Sequence, residues 1–232
     1  MNNQNDSHPK TAILLFAQTE QREALSKNIS SHAKNNILLW KKLNQKAVQI
    51  IKNTHLPYFI SDETTQVGDH FGSKITAAVQ SVFDKGFEKV IVIGNDSLSL
   101  STTLLLEAAR NLEYQDIILG ADWSGGVYLM GISKQGFDSQ KFESIAWQTD
   151  TVFNNLKNIF AGQSIFLLPR LKDFHDYHSF QESLLGLNHS SRLKAFLIAL
   201  ILEQFAFFTY KSISYFTTYF KQFYNKGSPV LA

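Results

Sequence analysis

Cysteine is absent from this chain of 232 residues, which excludes disulfides and thiolate metal sites alike. An excess of charge of one sign is lacking too. The 22 basic and 20 acidic residues leave a formal charge of +2, too near neutral to suggest nucleic acid as a partner. Neither a P-loop nor a G-x-G-x-x-G fingerprint occurs, so no standard phosphate loop is present. No serine sits in a nucleophile elbow, which leaves Ser-His-Asp catalysis unsupported. The polar start, residues 1–10, has no apolar core of a secretory signal. Uncharged apolar runs stop short of the roughly 18 residues a membrane-spanning helix needs, because Glu203, Lys211 and Lys221 interrupt the most apolar region. Internal repeats and low-complexity segments are missing as well. Together these absences lead us to expect a soluble cytoplasmic protein.

What is present is a hydrophobic content of 44%, enough for a packed core. The run Lys89-Val90-Ile91-Val92-Ile93 enters Gly94-Asn95-Asp96-Ser97, and Asp116-Ile117-Ile118-Leu119-Gly120 enters Ala121-Asp122-Trp123-Ser124-Gly125-Gly126. Short continuous apolar runs predict strands covered on both faces, as in a parallel sheet. Further strands are expected at Thr11–Ala17, Tyr58–Ser61, Val127–Ser133 and Ile165–Leu168, the last ending before Pro169. Helices are expected near residues 35–53, 72–83, 99–111 and 150–160, the last capped by Thr149, with a polar stretch from Gln18 to Lys34. This alternation argues for a layered α/β fold.

Beyond Ser190 the character changes. Ala195 to Leu202 is apolar at all eight positions, and aromatic residues from Phe205 to Tyr224 follow. Such a helix has to be covered. Packing on its own domain or on a second copy is the first expectation, and peripheral membrane contact the alternative.

In open α/β sheets ligands collect at the carboxyl ends of strands, where Asp96 and Asp122 fall. A carboxylate there can hold a divalent cation against phosphate oxygens, but Asp96 or Ser97 could equally cap the following helix. Gly125 and Gly126 allow close approach to a ligand, or simply a tight turn, and the turn is the simpler account. Lys172-Asp173-Phe174-His175-Asp176-Tyr177-His178 offers several metal-ligating side chains but reads more simply as a solvated loop.

Four segments in order are recognisable. Gln66-Val67-Gly68-Asp69-His70-Phe71-Gly72-Ser73-Lys74, Gly94-Asn95-Asp96-Ser97-Leu98-Ser99-Leu100, Gly120 to Gly131, and Phe142-Glu143-Ser144-Ile145-Ala146-Trp147-Gln148-Thr149 resemble a bacterial glycosyltransferase-like family. That family is the domain of unknown function numbered 2064, in the nucleotide-diphospho-sugar transferase superfamily. The resemblance implies a GT-A fold, Rossmann-like, with a mainly parallel sheet and helices on both faces. It divides the chain into a disordered start (1–10), a GT-A domain (11–185) and an aromatic-rich helical extension (186–232) through which copies could associate.

It further implies a glycosyltransferase-like or nucleotidyltransferase-like protein. The expected ligand is a nucleotide or nucleotide-sugar, held near Gly94, Asn95, Asp96, Ser97, Asp122, Ser124, Gly125 and Gly126. Magnesium or manganese is expected at Asp96. Leu98 and Ser124 stand where the family has proline and aspartate, and Gln18 to Glu23 replaces a basic phosphate-clamping loop. These departures keep open the alternative of a catalytically degenerate scaffold that serves in binding or assembly.

Overall fold

Successive strand residues point to opposite faces of a sheet, and that alternation sorts the core of this protein. The computed structural model describes residues 10–188 and 191–201. Strands β1 (Thr11–Phe16), β2 (Tyr58–Ser61), β3 (Lys89–Ile93), β4 (Ile117–Asp122), β5 (Val127–Ser133) and β6 (Ile165–Leu171) form one sheet in the order β2-β1-β3-β5-β4-β6. All run parallel except β5, which lies antiparallel between β3 and β4. Ala12, Leu14, Val90, Val92, Leu119 and Met130 turn to one face, with α3 (Phe71–Asp84), α5 (Ser139–Glu143) and α6 (Val152–Ile159). Ile13, Leu15, Ile91, Ile93, Ile118 and Leu129 turn to the other, under α2 (Ala33–Lys52) and α4 (Thr102–Asn111). Each large side chain so buried is worth about 1.5–3 kcal/mol before entropy is counted. The result is an α/β Rossmann-like fold.

Three local expectations are corrected. The polar stretch after β1 contains α1 (Glu20–Ser26), capped by Thr19. Its weak apolar pattern hid it, because its buried residue is Glu23. Thr149 does not cap α6: the N-cap position is Thr151, and the Thr149 hydroxyl donates to the Ala146 carbonyl at 2.6 Å. Strand β6 runs through Pro169 instead of ending before it, which an edge strand tolerates because one side needs no amide donor.

A third apolar cluster lies beyond α2. Leu39, Trp40 and Leu43 meet Phe174, Phe180 and Leu184 around α7 (Tyr177–Leu185), and Leu197, Leu200 and Ile201 join them. Residues 192–201 are helical, so this part of the C-terminal segment covers its apolar face against its own chain. The aromatic residues from Phe205 onward, and the start at 1–9, lie outside the described residues. Among the described residues no helix is long and apolar enough to cross a membrane.

Candidate functional site

The turn after β3 is built around Asp96. A side chain at Gly94 would bring its Cβ within 2.9 Å of Asp96 Oδ1, so glycine leaves room for the carboxylate to fold back over the strand end. The capping role open to Asp96 and Ser97 falls to Ser101, whose hydroxyl accepts the Leu104 amide at 3.3 Å. Asp96 is engaged elsewhere: Lys27 Nζ donates to its Oδ2 at 2.9 Å. Asn95 turns inward, donating to Asn44 Oδ1 at 2.7 Å and Glu23 Oε1 at 3.3 Å.

Lys27 is the residue that ends α1, and its ammonium is surrounded. Glu23 Oε2 lies 3.6 Å away and the Trp40 ring centroid 5.1 Å away. Burial by itself would lower the lysine pKa. The charges of Asp96 and Glu23, the bond to Asp96 and the charge of Asp173 outweigh it, holding the ammonium above the ordinary lysine range. Glu23 is raised above the usual carboxylate range, first by burial and then by Asp96. Lys27 and bonds from the Gln18 amide and Asn95 pull it partly back.

Asp173 does not belong to a solvated loop. Residues Ser97 and Asp173 form an isolated antiparallel bridge, and the Phe174 amide donates to the Asp96 carbonyl at 3.3 Å. Phe174 anchors this crossing, stacked on Trp40 at 5.3 Å and edge-on to Phe180 at 4.9 Å. Asp173 is thereby drawn beside Asp96, its Oδ1 enclosed and without a hydrogen-bond donor. Burial, then the charges of Asp96 and Asp122, raise the Asp173 carboxyl well above its usual range, against smaller opposing pulls from the Ser97 hydroxyl and then Lys27. His175 and His178 stay exposed, near Asp176 at 3.5 Å and Glu182 at 3.7 Å.

The turn from β4 to β5 is shaped by Asp122, whose Oδ1 accepts the amides of Ser124 and Gly126, each at 2.7 Å. Gly125 has φ of +93°, and a Cβ there would lie 1.9 Å from the Asp150 carbonyl oxygen. The turn account of these glycines is therefore sufficient by itself: Gly125 is required by backbone conformation and close packing.

These turns border a cleft of about 880 Å³ over the carboxyl ends of β1, β3 and β4. Gly94, Asn95, Asp96, Asp122, Ser124 and Gly126 line it, whereas Ser97 and Gly125 lie behind the lining. Aromatic side chains also line it, with Phe71 5.5 Å from Phe16 and 5.6 Å from Trp147. Glu23, Asp69, Asp150 and Asp173 add carboxylates to the lining, against Lys27 and Lys74. The convergence of Lys27 and Asp173 on Asp96 has no local signature, since 69 and 77 positions separate them from it.

Residues 42–149 match the family described as an uncharacterized protein conserved in bacteria, DUF2064. No curated protein matches the chain. A structure from Desulfovibrio desulfuricans G20, provisionally named a nucleotide-diphospho-sugar transferase, is 21% identical, covering 84% of this chain and 97% of its own, with a TM-score of 0.73. Rv0371C from Mycobacterium tuberculosis H37Rv, solved in complex with manganese, is 10% identical, covering 76% of this chain and 98% of its own. Its TM-score of 0.42 is too low to bear on this site. The sheet and its flanking helices thus share the fold of the Desulfovibrio structure, and residues 42–149 are similar to the DUF2064 family.

Proposed function

We propose that this cleft binds a nucleotide or nucleotide-sugar, and that the protein is a transferase-like member of its family acting on that ligand. The observation that carries the reading is the meeting of Lys27, Asp96 and Asp173 at a cleft whose lining also includes Phe16, Phe71 and Trp147. Phosphate groups would lie toward Lys27, and the base against Phe71 and Trp147, where a flat ring gains contact area. A fixed cation beside a phosphate leaving group stabilises the charge that develops as a glycosyl or nucleotidyl group departs. All the lining residues fall between Phe16 and Asp173–His175, inside the 11–185 unit proposed as the binding domain.

A second reading places magnesium or manganese at Asp96, and the enclosed, donor-free Oδ1 of Asp173 favours it. The rest of the donor set does not fit. Asp96 Oδ2 is held by Lys27, Asp122 Oδ1 is held by two amides, and among the described residues no group of three metal-ligating side chains occurs. We derive no chemical step through a metal.

Calorimetric titration with a panel of nucleotides and nucleotide-sugars tests the function. Binding of at least one in the micromolar to millimolar range is expected, weakened about tenfold or more by Lys27→Met, which removes the cation that meets the phosphates. Binding without turnover of any nucleotide-sugar would support the binding module over the transferase. A panel with no ligand would reject the nucleotide reading outright.

A further inference from the structure

We propose that Lys27 is the resident cation of this site, so that the cleft receives a phosphate-bearing ligand without a divalent metal. The inference rests on the nucleotide reading above and concerns how the phosphates are met.

The ammonium occupies the position a metal at Asp96 would need. It donates to Asp96 Oδ2 at 2.9 Å, has Glu23 Oε2 at 3.6 Å and faces the Trp40 ring at 5.1 Å. Two carboxylates and an indole face hold the cation on one side and leave the other toward the cleft. The ion is supplied by the chain itself. The main chain of Lys27 is fixed as firmly as its side chain: its carbonyl accepts Asn36 Nδ2 at 3.0 Å and Trp40 Nε1 at 3.3 Å.

Both members of the ion pair still reach the cleft, with 25% of the Lys27 side chain and 28% of the Asp96 side chain exposed. An ammonium carries three donors, and only Asp96 is within hydrogen-bond distance. The others are available to phosphate oxygens. A divalent ion seeking Asp96 would have to settle beside this fixed positive charge, and the repulsion at such distances is large wherever water is partly excluded. The remaining carboxylate in the β4–β5 turn, Asp122, has one of its two oxygens, Oδ1, already taken by two turn amides.

The test is calorimetry on the full chain with pyrophosphate, ADP, GDP, UDP and CDP, each in EDTA and again in manganese. The expected result is binding of at least one probe that differs by less than about threefold between the two conditions. Lys27→Met should weaken it by about tenfold or more, and Lys27→Arg, which keeps the charge, should retain most of it. Thermal melts of both variants establish that the fold persists; if Lys27→Met fails to fold, the EDTA comparison and Lys27→Arg still decide. Binding that vanishes in EDTA and returns with manganese would overturn this inference while leaving the nucleotide reading intact. Absence of binding in every condition would overturn both.

Discussion

Lys46 sits behind the turn that carries Asp96 and ties it down, donating to the carbonyls of Ser97 at 3.1 Å and Leu100 at 3.0 Å. Burial pushes its pKa down to about 8 from the ordinary 10.5. Below pH 8 both folded and unfolded chains carry the proton. Between pH 8 and 10.5 the folded protein releases it while the unfolded chain keeps it, so this group makes the folded state more stable as pH rises. The wild-type protein should therefore gain stability over that window relative to Lys46→Met, by up to roughly 1 kcal/mol per pH unit. Urea unfolding of the two proteins from pH 7 to 10.5 would show it; parallel curves would mean the ammonium is better hydrated than its enclosure suggests.

At the scale of elements, the helix over residues 192–201 is held by one stripe. Leu197 is fully buried and the Leu200 carbonyl accepts Asn35 Nδ2 at 3.2 Å, whereas Ile198 is 36% exposed. Leu197→Ala should cost about 2–5 kcal/mol through the cavity it leaves, and Ile198→Ala less than about 1 kcal/mol. Chemical denaturation would separate them. The opposite order, with loss of an oligomer in Ile198→Ala, would mean that the helix covers a second copy instead. The same elements show what the sequence could disclose. Helix α2 announced itself because Leu43, Ala47 and Ile51 recur along one face. Helix α1 did not, because what it buries is Glu23, whose carboxylate meets Asn95 from elsewhere in the chain and Lys27 at the helix's own end. A helix held by polar contacts leaves no hydrophobic period to read.

For the whole molecule, the strand runs and their order of appearance were legible, and so were the turns bearing Asp96 and Asp122, because buried strands need continuous apolar residues. What these turns face was not. Asp173 reaches Asp96 only through the bridge to Ser97 and the anchoring of Phe174 on Trp40, which are consequences of three-dimensional packing. The reversed strand β5 was likewise not evident as such from a mainly parallel pattern. It divides the sheet into β2-β1-β3, all from residues 11–93, and β5-β4-β6, all from residues 117–171, which meet only along β3 and β5 from Lys89↔Ser133 to Ile93↔Leu129. The chain crosses between the halves once within this span, at a turn where Tyr114 is 82% exposed. Cutting the gene after Tyr114 should thus yield two fragments that complement each other: each has its own strand order, and the two share one apolar cluster across the seam, where Val92 and Met130 are neighbours. Co-expressed fragments should copurify and melt together as one unit, while either fragment alone aggregates; two independently soluble, non-associating pieces would show that the seam is not needed for folding.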